Sequence, residues 1–216
     1  MEDPGASRVV TLTRRALSPH LRGTADRSKI EEHVIDFDRL GLHAQELAVD
    51  QIICALGTTM RKAGSQPEFR KVDFDYPLAI AHIGLQQGCH HFLLVSALGA
   101  NAGSRIFYSR VKGELEVAIC ALPFRSRTIV RPSLLLGPRE EFRLGEKVVE
   151  RLAFLMPKKY KPVSAIAVAH ALVAASREDR SGTRIIESAE LRTLAVHSIH
   201  PSPDRSTPLP ARPPEN

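Results

Sequence analysis

The sequence contains no tryptophan, only 5% aromatic residues, and no apolar run of about 18 residues or more, so no membrane-spanning helix is expected. Its three cysteines, Cys54, Cys89 and Cys120, are odd in number and form no Cys-x-x-Cys motif. This usage favours reduced thiols in a cytoplasmic protein. The segment Met1–Pro4 is acidic and precedes no apolar stretch, so a secretory signal peptide is not expected.

A nucleic-acid-binding motif is also lacking, although the net charge is +6. The arginines are scattered and the aromatic residues few, so the charge indicates a basic solvated surface or a phosphate-bearing small ligand rather than nucleic acid. Cys89, His90 and His91, together with His82, match no common zinc-ligand spacing, so no metal site is expected.

The 216 residues suffice for one domain, in which β-branched or apolar strands alternate with helical segments. Strands are predicted at Arg8–Thr13, His33–Phe37, Gln51–Leu56, Phe92–Val95, Arg127–Arg131 and Thr183–Glu187. Helices are predicted at Ser65–Gln87 (interrupted at Pro77), Ser104–Leu122, Glu146–Met156, Val163–Ser176 and Ser188–Ala195. This alternation predicts an α/β fold with a Rossmann-like, doubly wound parallel sheet in residues 1–197.

The end of the chain has a different composition. Residues 201–216 hold six of the fifteen prolines and little apolar content, so residues 198–216 are predicted to form a disordered tail. A basic turn at Pro157–Lys161 reads as a solvated loop or as part of a lid over an acidic substrate.

The most informative stretch is residues 91–112. A buried strand ends at Ser96, a Gly-containing loop follows, and then Tyr108 and Lys112 lie four apart on one helix face as Tyr-x-x-x-Lys. A tyrosine with its ordinary pKa of about 10 is a poor proton carrier at neutral pH, and a neighbouring ammonium is expected to lower that pKa. The arrangement predicts proton transfer at a carbonyl or hydroxyl carbon, with Ser96 orienting the substrate oxygen; an ordinary surface Tyr/Lys pair is the alternative.

These motifs together resemble the short-chain dehydrogenase/reductase superfamily. The closer resemblance is to its atypical branch, which includes bacterial NAD(P)-binding Rossmann proteins similar to the Tat-interacting-protein family. It spans about residues 8–194 and is carried by Cys54–Gly64, Val95–Gly99, Ile106–Glu116 and Arg131–Phe142. The resemblance implies that Ser96, Tyr108 and Lys112 are catalytic, and that Lys112 also holds the nicotinamide ribose.

Further cofactor contacts are implied by the same resemblance. Arg14 and Arg15 match the position that meets the adenosine ribose, where guanidinium groups suit the 2′-phosphate of NADP better than NAD; two solvated arginines are the alternative. Asp36 and Phe37 match the position beside the adenine, although Asp36 also suits a turn.

Two loops complete the implied cofactor site. The loop under the cofactor comprises Leu56, Gly57, Thr58 and Thr59, and the loop beside the nicotinamide comprises Arg131, Pro132 and Ser133. Gly57 would permit close backbone approach, or simply end a strand. Pro132 likewise could serve only to end its strand.

One departure from the family pattern is large. The first sixty residues contain only Gly5, Gly23, Gly41 and Gly57, and no Gly-x-Gly-x-x-Gly motif occurs. The family's first strand and Gly-rich phosphate loop are therefore expected to be absent from these residues, leaving the sheet incomplete at its N-terminal side, between the strands at Arg8 and Gln51. Weakened dinucleotide binding is expected to follow.

Two functions from different classes remain open at this point. The first is an NADP-dependent oxidoreductase or epimerase-like enzyme acting on an unidentified small carbonyl or hydroxyl substrate. The second is a dinucleotide-sensing regulatory or interaction protein with a weak or inactive site. A homodimer is compatible with the sequence, which does not fix the oligomeric state, and no membrane or nucleic-acid partner is expected.

Overall fold

The computed structural model describes residues 5–17, 27–136, 161–178 and 180–199. Its strands are β1 (Val9–Thr13), β2 (Ile30–Val34), β3 (Gln51–Cys54), β4 (His91–Val95), β5 (Ser126–Arg131), β6 (Leu135–Leu136), β7 (Val163–Ser164) and β8 (Gly182–Glu187). Every strand pair in these residues is parallel, as the alternation of strands and helices predicted. The predicted α/β, Rossmann-like fold class is confirmed.

The parallel strands form separate sheets. A four-stranded sheet has the order β3-β4-β5-β8, a two-stranded sheet joins β1 to β2, and a short pair joins β6 to β7. Within the described part of the chain, β1 and β3 do not pair with each other. The division falls where the family resemblance implies a further central strand.

The α-helices are α1 (Met60–Ala63), α2 (Gln66–Arg70), α3 (Tyr76–Gln86), α4 (Phe107–Ala121), α5 (Ala165–Glu178) and α6 (Ser188–Ile199). A π-helical turn at Lys71–Asp75 joins α2 to α3. No helix among the described residues combines the length and apolar character that crossing a membrane requires. The predicted helix at Glu146–Met156, residues 157–160 of the predicted basic turn and residues 200–216 of the predicted tail lie outside the described residues.

The predicted strand at His33–Phe37 is wrong in position. The strand occupies Ile30–Val34, where Glu31 and Glu32 interrupt the apolar pattern that sequence reasoning relies on. After it, the Asp36 carboxylate accepts a hydrogen bond from Asp38 N at 3.0 Å and begins a 3₁₀ helix, Phe37–His43. A short polar side chain that bonds the backbone two residues on favours such a turn over a continued strand.

Strand β4 lies between two hydrophobic cores, because successive side chains of a strand point to opposite faces. Phe92 and Leu94 pack in the first core with helices α3 and α4, and Leu12 of β1 packs against it. Leu93 packs in the second core with helices α5 and α6. A strand buried on both faces reads as the continuous apolar run seen in the sequence.

Candidate active site

The candidate site lies at the carboxyl ends of β3, β4 and β5, which parallel pairing places at one edge of the sheet. Ser96 follows β4, and Tyr108 and Lys112 occupy the first two turns of α4. The Tyr108 side chain is partly exposed, and its ring centroid lies 5.6 Å from that of Phe69 in α2. Lys112, by contrast, is buried.

Lys112 is paired with a residue that the sequence did not single out. Its Nζ lies 2.7 Å from Oδ1 of Asp73, and the two side chains are only 5% and 1% exposed. Asp73 Oδ2 accepts a hydrogen bond from the backbone N–H of Thr58 at 2.7 Å. Asp73 thereby connects α4 to the loop that follows β3.

Gly57 lies against this pair. A Cβ atom at that position would stand 3.3 Å from Asp73 Oδ1 and 3.6 Å from Lys112 Nζ. A side chain larger than hydrogen would crowd the buried ion pair and cover the loop at its exposed edge. Glycine at this position therefore does more than end the strand: it leaves the backbone beside Lys112 accessible to a ligand.

The π-helical turn determines where Asp73 lies. Ser65, where the predicted helix begins, caps α2 with its Oγ accepting from Glu68 N at 3.3 Å, and the helix was predicted to be interrupted at Pro77. Pro77 stands four residues after Asp73, so it offers no N–H to the Asp73 carbonyl and its ring would clash there in a regular helix. The helical turn is therefore wider than in a regular α-helix: Tyr76 N donates to Lys71 O, five residues back. Pro77 is a sequence signal for an irregular turn here, but nothing in the spacing marks Asp73 as the partner of Lys112.

The expected effect of Lys112 on Tyr108 is wrong. The pKa of Tyr108 is raised from its ordinary value, first by burial of the phenol and then by the negative charge of Asp73. Asp73 compensates the Lys112 ammonium, which cannot then stabilise a phenolate as an isolated ammonium would. Sequence spacing identified the Tyr/Lys pair but not the carboxylate of Asp73 beside it.

Ser96 is held by a separate network. Its hydroxyl is buried and donates to Glu116 Oε1 at 2.5 Å, so its single proton is directed to that carboxylate. Arg131 donates to the same carboxylate from Nε at 3.0 Å and from Nη2 at 2.5 Å, and to Glu187 from Nη1 at 2.9 Å. Hydrogen bonds to the Glu116 carboxylate raise the pKa of Arg131 further.

A groove of about 380 Å³ adjoins this network. It is lined by Ala100, Asn101, Ala102, Gly113, Glu116, Val117 and Arg131. A Cβ on Gly113 would come within 2.2 Å of the backbone of Asn101 and Ala102, so the loop packs directly on α4 at that glycine. Close packing of this loop forms one wall of the groove.

The remaining predicted cofactor contacts are divided between exposed and internal positions. Arg14 and Arg15 are exposed just after β1, where a phosphate could reach them. Phe37 is buried in the first core against Tyr76, so its ring is not open to an adenine. Asp36 caps the turn described above, but its side chain is 62% exposed and stays a predicted contact.

The loop after β5 is likewise held internally. Ser133 Oγ donates to Lys161 O at 2.6 Å and accepts from Ser188 Oγ at 2.9 Å. Pro132 is buried, and its carbonyl accepts from Leu98 N at 2.8 Å. These bonds hold the loop beside the one after β4, with Arg131 already committed to Glu116 and Glu187.

Leu56 is half-buried against the first core, and Thr59 Oγ1 caps α1 by accepting from Lys62 N at 3.2 Å. The structure thus brings Tyr108, Lys112 and the Gly57–Thr58 loop together around Asp73. It places Ser96 in the Glu116–Arg131 network instead. Among the described residues, no group of three or more His, Cys, Asp or Glu side chains is arranged to hold a metal.

The residues present fit the nicotinamide end of a dinucleotide. An ammonium and a phenol lie beside a backbone loop opened by Gly57, and Asp73 Oδ1, though close to Nζ, accepts no well-aligned hydrogen bond. An ammonium has three N–H groups, so pairing with one carboxylate oxygen leaves donors for a ribose hydroxyl. The fit does not extend to Phe37, whose ring is buried.

Two proteins of known sequence are similar to this chain over about two thirds of its length. The chain is 35% identical to protein HTATIP2 of Rattus norvegicus over 142 residues, which cover 65% of this chain and 58% of that protein. It is 37% identical to the mitochondrial protein FMP52 of Eremothecium gossypii over 156 residues, which cover 68% of this chain and 69% of that protein. The chain thus spans less than two thirds of the length of HTATIP2. No protein-family model matches it.

Solved structures show the same fold at low identity. DesIV, a dTDP-glucose 4,6-dehydratase from Streptomyces venezuelae solved with NAD, matches with a TM-score of 0.65 at 14% identity, over 88% of this chain and 70% of that one. MoeE5, solved with UDP-glucose and NAD, matches with a TM-score of 0.61 at 14% identity, over 90% of this chain and 74% of that one. By its relatives and its fold, the chain belongs to the atypical short-chain dehydrogenase/reductase family, together with HTATIP2 and FMP52.

Proposed function

We propose that the protein is a nicotinamide-dinucleotide-dependent oxidoreductase or epimerase-like enzyme that acts on a small carbonyl or hydroxyl compound. The observation that carries the proposal is the cluster of Tyr108, Lys112 and Asp73 beside the Gly57 loop, with Lys112 Nζ 2.7 Å from Asp73 Oδ1. The family membership and the NAD-bound structural neighbours support a nicotinamide cofactor.

Each residue of the cluster has a defined part in this proposal. Tyr108 gives a proton to, or takes one from, the substrate oxygen, since its phenol is the partly exposed acid of the cluster. Lys112 offers its remaining N–H groups to the nicotinamide ribose, and Asp73 fixes the orientation of Lys112. The nicotinamide, when bound, supplies or accepts the hydride.

Ser96 takes part through its oxygen. Because its proton is donated to Glu116, Ser96 can accept a hydrogen bond from a substrate hydroxyl but has no second proton to donate. Arg131 holds the Glu116 carboxylate in place with two hydrogen bonds, and so keeps this orientation of Ser96.

NADP is the proposed cofactor rather than NAD. Arg14 and Arg15 are exposed at the end of β1, where they can approach a 2′-phosphate, and neither position carries an acidic residue that would favour a free ribose hydroxyl.

Titration of the protein with NADPH, followed by nucleotide fluorescence, tests cofactor binding at this loop. Replacing Gly57 by Leu should weaken binding at least tenfold, because the new side chain would project over the Lys112–Asp73 pair. The matched control is Gly41→Leu, since a Cβ at Gly41 meets nothing within 4 Å. Absence of saturable binding, or equal binding by the two variants, would favour the regulatory alternative or a site elsewhere.

We further infer a reducing compartment, the cytoplasm being the sequence prediction. All three cysteines are free in the structure, as expected where thiols stay reduced. FMP52 proteins of Eremothecium gossypii and Candida albicans are mitochondrial by name. Cell fractionation of a tagged chain decides the matter: recovery with mitochondria would overturn the cytoplasmic prediction.

A further inference from the structure

The Tyr108–Lys112 pair differs from an isolated phenol and ammonium because Asp73 adds a negative charge beside Lys112. Lys112 and Asp73 lie 2.7 Å apart and are almost completely buried, so their charges compensate each other within a medium of low dielectric. The group of three therefore carries no net positive charge while the phenol is protonated. An uncompensated ammonium would instead attract a phenolate.

The other charges near Tyr108 in the described part of the chain lie at the surface. Arg110 and Glu114 follow Tyr108 on α4, and Arg70 of α2 donates to Glu114 at 2.5 Å. This group keeps one net positive charge, but its side chains are 32–41% exposed, so solvent screens it far more than the buried Asp73 and Lys112. The Cys54 thiol of β3, which faces Lys112 and Asp73, has its pKa raised by burial to about 11 and is neutral at physiological pH. Asp73 is the charge that acts on the phenol, and it opposes ionisation.

We propose that Asp73 is a positioning residue for Tyr108: by neutralising Lys112 it favours the phenol over the phenolate, so the site can deliver a proton to a carbonyl oxygen up to a higher pH than a Tyr/Lys pair alone would allow. This inference rests on the proposed function and adds the role of Asp73 in it. Tyr108 Oη gives its proton to the carbonyl oxygen while the carbonyl carbon receives a hydride from a reduced nicotinamide dinucleotide. The carbonyl becomes a secondary or primary alcohol, the nicotinamide is oxidised, and the phenolate is reprotonated from water.

The proton on Tyr108 can be followed without any turnover. The protein has no tryptophan and three tyrosines, so tyrosinate absorbance is a clean signal, and subtracting the titration of a Tyr108→Phe protein isolates Tyr108. Asp73→Asn keeps an oxygen to accept from Thr58 N but removes the charge. In this variant we expect Tyr108 to titrate about one pH unit lower, a tenfold change in the ratio of phenolate to phenol.

The Lys112→Met variant tests the opposite change in charge. It can be measured even if the Asp73→Asn protein does not fold. It leaves the Asp73 charge uncompensated, so Tyr108 should titrate higher than in the wild type. The double variant, with both charges removed, should titrate close to the wild type. A merely structural role for Asp73 would lower stability without this pattern of opposite shifts.

The outcome separates this proposal from the proposed function. Opposite shifts in the two single variants support the role of Asp73 even if no substrate is turned over. Tyr108 titrating at the same pH in all four proteins would overturn it, even if the protein proves to be an active enzyme. With an active enzyme, Asp73→Asn should also move the alkaline limit of carbonyl reduction to lower pH by the same amount.

Discussion

Lys112 Nζ lies 2.7 Å from Asp73 Oδ1, and the two side chains are among the most deeply buried charged groups that the structure describes. They come from α4 and from a π-helical turn roughly forty residues earlier in the chain. Their pairing fixes α4 against the loop after β3, whose Thr58 N–H binds the second oxygen of Asp73 at 2.7 Å.

Breaking this pair by removing one partner should strongly destabilise the fold. Asp73→Ala leaves the Lys112 ammonium buried without its counter-charge, which typically costs about 3–5 kcal/mol of unfolding free energy. Urea unfolding followed by circular dichroism measures the loss. Removing both charges, with Asp73→Asn and Lys112→Met, should cost less than Asp73→Ala alone.

A surface ion pair of the same length provides the control. Lys71 Nζ and Asp38 Oδ1 are also 2.7 Å apart, but their side chains are 37% and 52% exposed. Lys71→Met should therefore change the unfolding free energy by only about 0–1 kcal/mol. Equal losses of unfolding free energy in Asp73→Ala and Lys71→Met would contradict the conclusion that the buried Asp73–Lys112 pair stabilises the fold.

Gly113 should be intolerant of any side chain. A Cβ there would lie 2.2 Å from Ala102 N and from Asn101 C, which are backbone atoms that cannot rotate away. Gly113→Ala should therefore cost about 1–3 kcal/mol through overpacking, despite the better helix propensity of alanine. Thermal unfolding monitors the effect, with Gly41→Ala as a neutral comparison because its Cβ meets no atom within 4 Å. A Gly113→Ala protein as stable as the wild type would show that the Asn101–Ala102 loop is not packed on α4 as described.

The exposed arginines after β1 should decide between the two dinucleotides. We expect calorimetric titration to show tighter binding of NADP than of NAD, and we expect Arg14→Ala with Arg15→Ala to remove most of that preference. Hydrogen bonds to a charged group contribute roughly 1.5–3 kcal/mol each, so the loss should be at least tenfold for NADP and small for NAD. Arg180→Ala, at a side chain 77% exposed and paired only with Glu178 at 3.4 Å among the contacts described, is the charge-matched control. Equal or tighter binding of NAD by the wild type would refute the NADP assignment.

The parallel fold could be predicted from sequence because it depends on local patterns. Phe92–Val95 is a continuous apolar run, which identifies a strand buried on both faces, and helix α4 was correctly expected to follow it. The strand at Ile30–Val34 was misplaced because its two glutamates interrupt that pattern. Short strands with polar residues leave little periodicity to read.

The site could be predicted only in part. Tyr108 and Lys112 are four residues apart, so helix geometry alone brings them onto one face. Asp73 and Glu116 were missed, because their roles depend on how separate elements pack: a widened helical turn places Asp73 against Lys112, and Arg131 of β5 places Glu116 against Ser96. Spacing in the sequence carries no information about such contacts across the fold.

The proposed function depends on Tyr108 acting as a proton carrier in a nicotinamide-dependent reaction. The most direct measurement is oxidation of NADPH by the purified protein in the presence of a panel of small aldehydes and ketones, compared with the Tyr108→Phe variant. We expect turnover with at least one carbonyl compound in the wild type, and its loss in Tyr108→Phe with unchanged thermal unfolding, because the substitution removes the hydroxyl alone. Turnover by Tyr108→Phe at a near-normal rate, or none by the wild type across the panel while NADPH still binds, would contradict the account.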